Sequence, residues 1–159
     1  ERIYRNENLI KAVKDGSNKE ARWNMMMSAT EGAMAFTKGL GAVHSMSHAC
    51  GANQELSLHH GTLNGVILPT VLRFNHGHVG DKYERISRSM GISKSSDLAE
   101  TIEDLNSQIG LPENLGDMGI VADMVPELSQ HSVVDVCSFT NPVVPDIEDY
   151  EKLFVEAIG

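Results

Sequence analysis

Apolar positions along the chain recur mostly at three- and four-residue intervals, the period of a helix with one buried face. Residues 6–14 put Leu9, Ile10 and Val13 on one side, and Asp15-Gly16-Ser17 ends the pattern. Ser17 or Asn18 can cap a second helix that starts at Lys19, with Glu20 in its first turn. That helix runs past Trp23, Met25-Met26-Met27 and Phe36 to about Lys38. Its small residues (Ser28, Ala29, Gly32, Ala33, Ala35) let another backbone come close, so it is expected in the middle of a bundle. The three methionines cannot share one helix side and read as gap-filling residues. Gly39-Leu40-Gly41 breaks the helix, and a short one over 42–50 is expected to stop at a left-handed Gly51.

Residues 53–59 read as a loop. The most apolar stretch is 62–75, where Gly65 and Pro69 favour a bent, buried helix, with a strand as the alternative. An amphipathic helix over 81–90 ends at Gly91, and Ser95-Ser96-Asp97 caps another over 98–109, with Ile102, Leu105 and Ile109 as its stripe. A short helical pair is expected around Pro126, over 116–130, and Val133-Val134-Asp135-Val136 could be a strand. Asn141-Pro142-Val143-Val144-Pro145 must be extended. Asp146 caps a last helix whose apolar side is Tyr150, Leu153, Phe154, Ala157 and Ile158. With no internal repeat and no shift in composition, residues 1–159 read as a single all-α multi-helix bundle of roughly six to nine helices.

Composition narrows the partners. The 159 residues are 41% hydrophobic and 22% charged, as in ordinary globular chains. Thirteen Lys+Arg against 22 Asp+Glu leave a net charge of −9, which argues against nucleic-acid and anionic-membrane partners. No apolar run approaches the roughly 18 residues of a membrane span. The chain opens Glu1-Arg2-Ile3-Tyr4-Arg5, without an apolar signal core and without Met, which suggests a piece of a longer chain or a processed product. Cys50 and Cys137 have no framework spacing and read as reduced thiols, so a cytoplasmic setting is expected.

Seven histidines are many for this length, and four fall close together: His44, His48, His59 and His60. His44 and His48 are four residues apart on the short helix and so stack on one face. A chain reversal after Gly51 could return His60 to that face, and imidazoles converging in this way suit a divalent ion completed by a carboxylate. An isolated H-x-x-x-H is weak evidence, and Ser45 stands where a zinc protease needs glutamate. His76 and His78 read as surface residues, His131 as a surface or structural one, and Cys50 as a small buried apolar one. No phosphate-binding glycine loop and no G-x-S-x-G elbow is present.

Three segments together carry a resemblance. They are Gly39-Leu40-Gly41-Ala42-Val43-His44-Ser45-Met46-Ser47-His48-Ala49-Cys50-Gly51, then His60-Gly61-Thr62-Leu63-Asn64-Gly65-Val66-Ile67-Leu68-Pro69, then Val71-Leu72-Arg73-Phe74-Asn75. This order resembles the signature of the iron-containing (group III) alcohol dehydrogenases. Ala33-Met34-Ala35-Phe36, the stretch from Tyr83 to Gly91, and Asn141-Pro142 agree with it on the flanks. The resemblance covers nearly the whole chain but only the C-terminal, helical half of a family member, in the dehydroquinate synthase-like fold.

The resemblance implies a two-domain oxidoreductase whose N-terminal domain, outside this chain, binds NAD or NADP. It implies a metal held by one Asp and three His, with a D-x-x-x-H segment expected just before Glu1. The remaining ligands fall on His44 and His60, and His48 matches a cleft histidine near substrate and nicotinamide, a candidate catalytic residue. His60 is taken because it directly precedes Gly61. The spacing from His44 is two residues longer than the commoner pattern, and an insertion placed after the ligand would make it His59 instead. Fe2+ is the first choice of ion and Zn2+ the alternative. The activity implied is interconversion of a small alcohol with an aldehyde or ketone, with this half inactive alone. A homo-oligomer is open. The competing readings are a non-catalytic helical metal-binding or interaction module, and a relative that keeps the bundle without the metal.

Overall fold

The structure is a computed structural model that describes residues 6–92 and 98–159. Eight α-helices, joined by short 3-10 turns, make up the described residues, and no strand occurs among them. They are α1 (Asn6–Lys14), α2 (Lys19–Ala35), α3 (Ala42–Gly51), α4 (His60–Asn75), α5 (Lys82–Met90), α6 (Leu98–Ile109), α7 (Val125–Val134) and α8 (Ile147–Ile158). The all-α bundle expected from the sequence is the fold observed, and 62–75 is helix rather than strand.

The main core lies where α3, α4, α7 and α8 meet. Met46, Cys50, Leu63, Ile67, Leu115, Tyr150 and Phe154 are fully buried there. Removing each large apolar side chain from water contributes about 1.5–3 kcal/mol. A smaller cluster of Val79, Tyr83 and Leu98 joins α5 to α6.

Local chemistry sets the helix ends. Asn18 caps α2 by accepting from the Ala21 amide, 3.0 Å away. Gly91 ends α5 in the left-handed region at φ 79°. Asp146 and Asp149 form a reciprocal capping box on α8. The proposed cap at Ser95-Ser96-Asp97 lies outside the described residues. Pro69 sits inside α4 and has no amide hydrogen to offer the Gly65 carbonyl one turn back. Asn106 of α6 fills that vacancy by donating its side-chain amide to Gly65 O at 2.8 Å.

Several sequence expectations are corrected. Among the described residues α2 packs mainly on α1 and buries only Ala21. Trp23, Met26, Met34 and Phe36 are each more than half exposed. Small residues permit close packing without requiring it. Val13, expected on the inner face of α1, is also exposed. Gly51 is helical, because Ala52 continues the ladder to His48 O, and the chain turns instead at Asn53. Asn53 Oδ1 accepts from the amides of Glu55 and Leu56. The 116–130 segment is two 3-10 turns leading into α7, with Pro126 in its first turn, where a missing N–H costs little. Val133 and Val134 finish α7 rather than forming a strand, since four apolar-rich residues alone specify neither period.

Candidate metal centre and catalytic cleft

The centre is built on the packing of α3 against α4 and α7. Gly39 precedes α3 at φ 96°, and a Cβ there would lie 2.5 Å from Thr140 Cβ, so only glycine lets the chain enter. Asn141 Oδ1 then accepts from the Ala42 amide at 3.2 Å and from Asn75 Nδ2 at 3.2 Å, which ties the start of α3 to the end of α4.

Helical spacing puts His44 and His48 on the same face of α3, with ring centroids 5.9 Å apart. The chain reverses over 52–59 and α4 begins with His60. Its ring comes 5.3 Å from that of His44 and stacks at 5.4 Å on that of His48. Three of the seven histidines therefore converge. His59 does not join them. It is the N-cap of α4, with Nδ1 accepting from the Thr62 amide at 3.3 Å. Gly61 leaves room for this, because a Cβ there would meet the His59 ring at 3.1 Å. His76, His78 and His131 are exposed, as expected from the sequence.

Each imidazole has a distinct electrostatic setting. Burial, then the neighbouring charges His60 and His48, hold His44 below the usual imidazole value, so its lone pair is available. His60 Nδ1 lies 3.0 Å from Ser47 Oγ, and its Nε2 lies 3.0 Å from Asn64 Nδ2. An amide NH2 only donates, so Nε2 carries the lone pair and Nδ1–H donates to Ser47. Asn64 Oδ1 is buried without a partner, which leaves the His60 contact as the amide's tie. His48 Nδ1 lies 2.9 Å from Asp135 Oδ2, just past the end of α7. A carboxylate only accepts, so the proton is on Nδ1 and the lone pair on Nε2. Burial alone would raise the Asp135 carboxyl, but hydrogen bonds with His48 and Cys137 outweigh it and hold it below its ordinary value.

This donor set fits a divalent cation. The His44 and His60 rings stand 5.3 Å apart, imidazole donors of the kind such an ion takes, and Ser47 gives His60 the outer hydrogen bond that fixes a ligand's tautomer; an ion at His60 Nε2 would replace its contact with Asn64. Asn64, Ser47 and Asp135 escaped the sequence reading. Asn64 was within its reach, since it stands one helical turn from His60.

Phe36 stands edge-on to His44 at 5.8 Å. Both line an open, mainly apolar cleft of about 580 Å³ that also has Leu40, Leu68 and Lys82 on its walls. A larger cavity of about 670 Å³ around Arg73, Glu103 and Glu156 contains no histidine and lies apart from this chemistry. Among the described residues, no helix is long and apolar enough to cross a membrane.

Residues 5–158 match the family described as Fe-containing alcohol dehydrogenase, C-terminal. The chain is 39% identical over 155 residues to 4-hydroxybutyrate dehydrogenase of Cupriavidus necator, covering 93% of this chain and 41% of that protein. It is 33% identical over 146 residues to lactaldehyde reductase of Escherichia coli K12, covering 86% of this chain and 38% of that one. The crystal structure of a 1,3-propanediol oxidoreductase superposes with a TM-score of 0.89 at 32% identity, covering 96% of this chain and 42% of that one. The chain thus spans about two fifths of the length of these relatives.

Proposed function

The chain belongs to the Fe-containing alcohol dehydrogenase family, and from that premise we propose that it is the metal-bearing domain of an NAD(P)-dependent enzyme that interconverts a short alcohol and its aldehyde or ketone. The observation that carries this reading is the convergence of His44, His48 and His60, with centroids 5.3–5.9 Å apart, beside an apolar cleft.

In this reading His44 and His60 are metal ligands, and a segment upstream of Glu1 supplies the others. The dinucleotide is held by a domain N-terminal to this one. When bound, Fe2+ or Zn2+ supplies Lewis-acid stabilisation of alkoxide character. This chain's own residues do the rest. Ser47 holds His60 in the tautomer a ligand needs. Asp135 holds the proton on His48 Nδ1, so that Nε2 can take the hydroxyl proton as the alcohol carbon gives its hydride to NAD(P)+. In carbonyl reduction the same atom returns it. Phe36 and the apolar cleft take the carbon chain and keep water from it.

The named relatives act on 4-hydroxybutyrate, lactaldehyde and 1,3-propanediol. We extend to this protein the class they share, short alcohols or aldehydes carrying a second polar group. The test is metal-reconstituted full-length protein assayed with NAD+ and NADP+ on 4-hydroxybutyrate, 1,2-propanediol and 1,3-propanediol. Metal-dependent formation of NAD(P)H supports the reading, while the 159-residue chain alone gives none. Full-length protein that binds metal yet turns over none of these substrates with either dinucleotide overturns it in favour of a non-catalytic metal-binding module.

A further inference from the structure

His48 faces two groups besides its imidazole neighbours. Asp135 lies at the C-terminal end of α7, and Cys137 begins the next 3-10 turn. One ligand atom from each of His48, Asp135 and Cys137 lies within 4.8 Å of the other two. The Cys137 amide donates to Asp135 Oδ1 at 2.8 Å, which fixes the carboxylate and leaves Oδ2 turned to His48. The cluster is open on one side, since the His48 side chain is 43% exposed.

We propose that His48, Asp135 and Cys137 form a second cation site, separate from the His44–His60 pair, that binds Zn2+ and thereby blocks the proton path through His48. An imidazole, a carboxylate and a thiol together favour a borderline ion such as Zn2+ over Mg2+ or Ca2+, which take oxygen ligands. The carboxylate and thiolate charges together balance the ion.

The proton balance is definite. The Cys137 thiol is ordinarily protonated, its value pushed up to about 11 by burial and by Asp135. A Zn–S bond forms as the S–H bond breaks, and the proton goes to solvent. The ion also replaces the proton between His48 and Asp135, so the imidazole moves its hydrogen from Nδ1 to Nε2. One proton is released for each ion bound, with no change in oxidation state. The Nε2 lone pair needed for turnover is then gone. Binding stands on the geometry alone, whereas the loss of turnover rests on the role proposed for His48.

The test uses full-length protein already carrying one metal ion per chain, titrated with Zn2+ and, as a spectroscopic probe, Co2+. The expected result is a second ion per chain, release of one proton, and a thiolate-to-Co2+ charge-transfer band. Cys137→Ser and Cys137→Ala should keep the first ion, lose the band and bind the second about tenfold or more weakly. Wild-type protein that takes only one ion overturns the proposal, as does a band or second affinity unchanged in both variants. Loss of the first ion in both variants also overturns it, because Cys137 would then belong to the first site or to the fold. Turnover is a separate readout: a second ion bound with activity intact keeps the site and contradicts the proton role of His48.

Discussion

His48 Nδ1 and Asp135 Oδ2 meet at 2.9 Å across 87 residues of chain, joining the middle of α3 to the end of α7. The contact engages Nδ1 and leaves Nε2 as the ring nitrogen with the lone pair. Asp135→Asn in the full-length enzyme should lower kcat by about 10²–10⁴-fold, the usual worth of a positioned acid–base group, while metal content stays at the wild-type level. Steady-state kinetics with metal analysis of the same preparation checks this. An unchanged kcat would contradict the role.

The Pro69–Asn106 arrangement predicts a stability effect far from the histidines. Asn106→Ala leaves the Gly65 carbonyl without a partner inside the α4–α6 contact, at a cost of about 1–3 kcal/mol. Urea denaturation of the wild type and the variant measures it. If Pro69 is also replaced by Ala, the restored backbone bond should recover part of the loss. No recovery would show that Asn106 acts through some other contact.

His44 predicts a pH dependence with a definite sign. Its folded-state value lies below the ordinary 6.5, chiefly through burial and then through His60 and His48. Below pH 6.5 the unfolded chain therefore binds more protons than the folded one, so stability falls with acidification until the folded-state value is passed. Asp135, held below 3.8, adds a further loss only in stronger acid. Metal-free protein should show a lower denaturation midpoint at about pH 5.5 than at about pH 7.5, and His44→Gln should shrink the difference. A midpoint that rises on acidification would contradict the sign.

Sequence alone carried the helix ends well, because Asn18, Gly91 and Asp146 act on their own neighbours. It also grouped His44 with His48 through helical spacing, and it offered His60 as the third member. It could not see Asp135, since that contact depends on how α7 is laid against α3. It took His60 for its place before Gly61 and kept His59 as the alternative, because the use of an imidazole as the cap of α4 has no signal in residue type. The exposure of α2 was hidden for a related reason, since small residues state what a helix can pack against and not what it does.

The central claim is that His44 and His60, and not His59, hold the metal ion. The most direct measurement is the metal content of full-length wild type beside His44→Ala, His60→Ala and His59→Ala, each confirmed as folded. The account predicts that the first two lose the bound ion. His59→Ala should keep it and lose only the cap, a cost of about 1 kcal/mol. Metal retained in His60→Ala but lost in His59→Ala, or retained in both His44→Ala and His60→Ala, would contradict it.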